Sequence, residues 1–134
     1  QVLPGQPAVI LDVAHNPHAA AALAAGLGNM GFYQNTHAVF AMLKDKDIAS
    51  VIKAVKHRID TWYVAGLPVP RGASDEILTQ LLADAGEGAK TRRFASVSNA
   101  YAAACEAAAQ NDRIIVFGSF YTVAEVMRVV RRGK

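Results

Sequence analysis

Two short turns hold the side chains whose types and spacing can do chemistry. The first is Leu11-Asp12-Val13-Ala14-His15-Asn16-Pro17, which sets a carboxylate, an imidazole and an amide just ahead of a helix start. The unpaired N–H groups and dipole of a helix N-terminus attract phosphate or carboxylate. Asp12, at a strand end, can accept hydrogen bonds from ribose hydroxyls; His15 can donate to a phosphate or pack against a nucleotide. A structural reading stands beside this one: Asp12 and Asn16 fix the turn and cap the helix. Local chemistry leaves the two level. The second turn is Phe117-Gly118-Ser119-Phe120-Tyr121. Glycine lets the backbone approach a ligand, and a serine hydroxyl beside free helix N–H groups can hold an anion. Ser119 can equally be an ordinary helix cap, or Thr122 with Glu125 a capping box, and on residues alone capping is favoured.

Other candidates are weaker. His15 and His18 suggest a metal, but no cysteine is near and Asp12 is the one close carboxylate, so no metal site is expected here. There is no G-x-x-x-x-G-K-S/T phosphate loop, no G-x-G-x-x-G fingerprint and no H-E-x-x-H zinc helix. Gly26-Leu27-Gly28 falls inside a helical pattern and carries no weight. The Lys44-Asp45-Lys46-Asp47 run could position a ligand or a neighbouring domain, but reads first as a solvated turn. His37 reads as a strand residue and His57 as a helix-end residue.

The elements that must position these turns alternate regularly. Ala8 to Leu11 predicts a strand buried on both faces, followed by a helix with Asn16 as cap, Pro17 in its first turn, and an end at Gly31. Thr36 to Met42 predicts the next strand, and Ile48, Val51, Ile52, Val55 and Ile59 the stripe of a helix following Asp47. Trp62 to Ala65 reads as a strand, Leu67 to Ala73 as loop, and Ser74 as cap of a helix burying Leu78, Leu81 and Leu82. A weak strand is expected near Arg93-Phe94-Ala95, then an alanine-rich helix from Ser98 to about Gln110. Arg113 to Phe117 is a clear strand, and the last helix turns Val123, Val126, Met127 and Val130 inward. Strands separated by helices call for parallel crossovers, hence a three-layer, Rossmann-like α/β domain with a mostly parallel sheet and helices on both faces. No linker or repeat divides residues 1–134, so one domain is expected.

Composition fits that class: 52% hydrophobic, 19% charged, formal net charge +3. No apolar run approaches the roughly 20 residues that span a bilayer, so no membrane role is expected. Arg128, Arg131, Arg132 and Lys134 cluster at one end, where they suit a helix C-terminus better than nucleic acid, because no aromatics interleave with them. The single cysteine, Cys105, has no disulfide partner, which fits a reducing cytoplasm; its spacing from Tyr101, Ala104 and Ala108 predicts a buried helix face. A start at Gln1 rather than methionine is expected of a fragment or a processed chain.

Asp12-Val13-Ala14-His15-Asn16-Pro17-His18-Ala19-Ala20 resembles the motif that opens the C-terminal domain of the dihydrofolate synthase/folylpolyglutamate synthase family, within the Mur ligase superfamily. Met42 to Asp47, Pro70 to Ser74 and Gly118 to Tyr121 resemble later landmarks of that family, in the same order. The resemblance covers essentially the whole chain and implies the Mur ligase C-terminal fold. It implies a ligase in folate biosynthesis, in which ATP phosphorylates a carboxylate of dihydropteroate or a folate and the amine of L-glutamate displaces the phosphate. Asp12, by resemblance, meets the ATP ribose, His15 and Asn16 lie at the nucleotide, and Ser119 meets the incoming glutamate. The family's phosphate loop and magnesium ligands belong to a preceding central domain, its partner in the same chain. So no catalytic residue is expected here, and no turnover from this stretch alone; the protein is expected to be a monomer. Two alternatives stay open: a stand-alone nucleotide- or anion-binding regulatory module, and the equivalent domain of a cell-wall Mur ligase.

Overall fold

Runs of β-branched and aromatic residues stop at glycine or polar turns, and each turn launches a capped helix. The computed structural model describes residues 1–3 and 5–132. In chain order the elements are β1 (Val2–Leu3), β2 (Ala8–Asp12), α1 (Pro17–Gly28), β3 (Thr36–Phe40), α2 (Ile48–Val55), β4 (Thr61–Ala65), α3 (Asp75–Asp84), β5 (Thr91–Phe94), α4 (Val97–Ala107), β6 (Arg113–Phe117) and α5 (Phe120–Arg132). Among the described residues they form a six-stranded sheet ordered β1-β2-β6-β3-β4-β5. Only the short β1–β2 pairing is antiparallel there; the others are parallel.

The central strands β3 and β6 are buried at every position, as parallel strands covered on both faces must be. Alternate side chains divide the core. Ala38, Phe40, Trp62, Val64, Ile115 and Phe117 face Leu23 and Leu27 of α1, Val51 and Ile52 of α2, and Leu78 and Leu82 of α3. Val39, Tyr63, Ala65, Ile114 and Val116 face Val97, Ala100 and Ala104 of α4 and Val126 of α5. The expected three layers are present. Among the described residues no helix is long and apolar enough to cross a membrane.

Register places the candidate turns. Asp12 pairs with Phe117, and Phe117 with Phe40, so β2, β6 and β3 end level with one another. The connections after these strands therefore emerge side by side at the carboxyl edge, where open parallel sheets bind ligands.

Several expectations are corrected. Strand β1 went unforeseen, since two residues carry no periodicity. Helix α1 ends at Gly28, with Asn29 as its C-cap, and Gly31 (φ +91°) serves the following turn. Strand β3 stops at Phe40, because the chain beyond it pairs elsewhere: Ala73 N–H donates to Met42 O at 2.9 Å and Lys44 N–H to Arg71 O at 2.7 Å. Ile59 is buried but lies beyond α2, past the 3-10 turn Lys56–Arg58 that includes His57. Leu81 is only half-buried. Helix α4 is capped by Ser96, whose Oγ accepts from Asn99 N–H at 3.0 Å, and it ends at Ala107. Ser98 instead gives both its N–H and its Oγ–H to the Glu125 carboxylate, each at 2.7 Å. That bond also removes Glu125 from the capping box with Thr122, which stood as the alternative to Ser119 as cap. Cys105 is exposed, one step off the buried face of Tyr101 and Ala104. Arg131 and Arg132 do sit in the last turn of α5, whereas Lys134 lies outside the described residues.

Candidate functional site

The first turn is rigid through its own side chains. Asp12 Oδ1 accepts from Ala14 N–H at 2.8 Å, and Asn16 Oδ1 from Ala19 N–H at 2.8 Å, with Pro17 opening α1. His15 Nδ1 lies 2.9 Å from Val13 O. A carbonyl has no proton to give, so Nδ1 carries the hydrogen and Nε2 is left without a hydrogen bond among the described residues. Asp12 and Asn16 thus do serve the turn and the cap. The second Asp12 oxygen takes no hydrogen bond among the described residues.

The second turn depends on Gly118. Its φ is +119°, and a Cβ there would lie 2.3 Å from Ala41 O, so neither the backbone angle nor the space admits a side chain. Ser119 follows, only 4% exposed. Its Oγ accepts from Thr122 N–H at 3.1 Å, which makes it the cap of α5. Phe120 and Tyr121 come next, 70% and 46% exposed, with helix N–H groups that have no intrahelical partner.

A third connection completes the arrangement. His15, Leu43, Lys46, Gly118, Ser119, Phe120 and Tyr121 line one cleft of about 180 Å³. His15 and Ser119, more than a hundred positions apart in sequence, are brought together. Asp12 and Asn16 do not line this cleft; Asp12 borders a separate groove along α1 with Leu23 and Leu27. Lys46 is the residue that sequence reasoning passed over as part of a solvated turn. In that run Asp45 is held by Arg71 at 2.8 Å and Asp47 Oδ1 caps α2 by accepting from Ser50 N–H at 3.2 Å. With both carboxylates occupied, Lys46 is left without an ion pair among the described residues. The cleft therefore offers one cation, a helix N-terminus and aromatic walls, which together suit a small anionic molecule. No group of three or more His, Cys, Asp or Glu placed to hold a metal occurs among the described residues.

Residues 1–120 match the family described as Mur ligase, glutamate ligase domain. This chain belongs to that family. The resemblance carried by Asp12 to Ala20 is borne out, and with it the fold. Among Mur ligase relatives, the dihydrofolate synthase/folylpolyglutamate synthase of Escherichia coli (strain K12) is 44% identical over 130 residues, covering 97% of this chain and 29% of its own length. The structure of E. coli FolC in complex with DHPP and ADP superposes with a TM-score of 0.90 at 41% identity, covering 99% of this chain and 31% of that one. A bifunctional folylpolyglutamate synthase/dihydrofolate synthase with Mn, AMPPNP and L-glutamate bound gives a TM-score of 0.89 at 43% identity, covering 98% and 30%. The chain thus spans under a third of the length of these relatives, as their C-terminal domain.

Proposed function

We propose that this chain is the C-terminal part of an ATP-dependent ligase that joins L-glutamate to dihydropteroate or a folate through an acyl phosphate. The observation that carries the reading is the cleft where His15, Lys46 and Ser119 meet from three separate connections at the carboxyl edge of the sheet. In this reading the free Asp12 oxygen accepts from the ATP ribose, while His15 and Asn16 flank the nucleotide. Lys46 neutralises a carboxylate of the incoming glutamate, and Ser119 with the first N–H groups of α5 fixes its orientation. Phe120 and Tyr121, both exposed, line the cleft, and Val13 is exposed in the first turn; in this reading these apolar side chains meet the rest of the protein. The described residues offer no cradle for magnesium, so the ion accompanying ATP is assigned to the central domain, and no step here runs through it. Acyl and phosphoryl transfer need groups converging on the reacting atoms from both sides. This chain supplies one side. We also assign the protein to the cytoplasm, on its lone unpaired cysteine, and treat it as a monomer.

The test is ATP-dependent glutamate addition by the full-length chain that carries this domain. Lys46→Met is expected to raise KM for L-glutamate at least about tenfold, the scale of one lost charged hydrogen bond. Asp12→Ala is expected to act on KM for ATP instead. The isolated chain should show no turnover. Unchanged constants in both variants would overturn the assignment of the cleft, and turnover by the isolated chain would overturn the half-site.

A further inference from the structure

Thr122 lies in the first turn of α5, is fully buried and lines no part of the cleft. Its hydroxyl nevertheless joins the two walls of that cleft. Thr122 Oγ1 donates to Ala41 O at 2.8 Å, and since the carbonyl has no proton, the direction is fixed. The 2.8 Å contact between the Thr122 and Ser119 hydroxyls must then use the Ser119 proton. Thr122 N–H donates back to Ser119 Oγ at 3.1 Å. One residue therefore holds Ser119 at two points. The same residue pins Ala41, which begins the connection that carries Leu43 and Lys46 into the cleft. Gly118 packs against the same carbonyl, so the two walls share one anchor.

We propose that Thr122 is a positioning residue for the incoming amino acid: it fixes the Ser119 hydroxyl and the spacing between Ser119 and Lys46. This rests on the reading of Ser119 and Lys46 as glutamate contacts. An ordinary buried threonine would affect stability alone. A positioning residue acts selectively on one substrate, because small misplacements of binding groups are costly in productive encounters.

The experiment is steady-state kinetics on the full-length chain. Thr122→Val keeps the shape but removes the donor to Ala41 and the acceptor for Ser119; it should raise KM for L-glutamate about tenfold and leave KM for ATP within about twofold. Thr122→Ser, which restores the hydroxyl, should return KM for glutamate to within about threefold of the parent. Should the valine chain fail to fold, Thr122→Cys carries the test, its weak thiol donor giving an intermediate rise in the same constant. Ser119→Ala serves as reference. A rise in Ser119→Ala with none in the Thr122 variants overturns the positioning role and leaves the site reading intact. No rise in Ser119→Ala overturns the glutamate role of Ser119 and the positioning role with it. Equal rises in KM for glutamate and ATP in the valine chain reduce Thr122 to a packing residue.

Discussion

At the amino edge of the sheet, Asp112, His37 and Tyr63 form a buried chain of hydrogen bonds; at the carboxyl edge, Lys46, His15 and Ser119 surround a cleft. Both groups hold titratable side chains, yet they differ in how completely those side chains are partnered. His37 Nε2 lies 2.9 Å from Asp112 Oδ2, and Nδ1 lies 2.8 Å from the Tyr63 hydroxyl. Asp112 also accepts from Asn35 N–H at 3.1 Å and Ala109 N–H at 2.9 Å. Burial alone would raise the Asp112 carboxyl, but the hydrogen bond from His37 and those from the backbone hold it below the usual carboxylate range. Burial pushes the Tyr63 hydroxyl up, against the nearby Arg92. The catalytic-looking trio is the saturated one, and it ties β3 and β4 to the turn that leads into β6. Among the described residues, the carboxyl edge leaves a cation and a carboxylate oxygen without partners and two aromatic side chains exposed. Unspent bonding capacity, more than residue type, separates a site from a scaffold.

Variants can break or sharpen that contrast. Asp112→Ala strands the buried His37 donor and two part-buried backbone donors and should cost about 3 kcal/mol or more in urea unfolding. A loss of under about 1 kcal/mol would show that the amino edge is not a scaffold. A smaller effect is expected with acid. The folded Asp112 binds its proton less readily than the unfolded one. Its contribution is therefore complete above the ordinary carboxylate value of about 4 and is lost as pH falls through the lowered folded value. Urea midpoints measured downward from there should fall less steeply in Asp112→Asn than in the parent; parallel slopes would contradict the assignment. Least affected should be Lys46→Met, within about 0.5 kcal/mol in the same unfolding measurement, despite its expected effect on glutamate.

How far the sequence discloses these two edges follows from the range of each interaction. The Asp12-to-Pro17 turn is legible because its bonds close within three residues. Helix α4 is harder, since Ser96 and Ser98 are both good caps, and the choice is made by Glu125, which lies on another helix. The His37–Asp112 bond joins residues 75 positions apart and leaves no local trace. His37 could be recognised only as a strand residue. Lys46 had a visible signal, an alternating charge run after a strand. What singles it out is the pairing of Asp45 with Arg71, set by the antiparallel bridge of Leu43 with Gly72.

The insertion of β6 between β2 and β3 has a consequence for how the domain is made. Arg113–Phe117 is the last strand in sequence yet occupies the middle of the sheet. During synthesis from the N-terminus, β2 and β3 must wait with open hydrogen-bonding edges until this segment emerges. The three connections that line the cleft meet only when it slots in. A nascent or truncated chain ending before Arg113 would therefore carry exposed, apolar strand edges that invite self-association, and those edges are a natural point for chaperone capture.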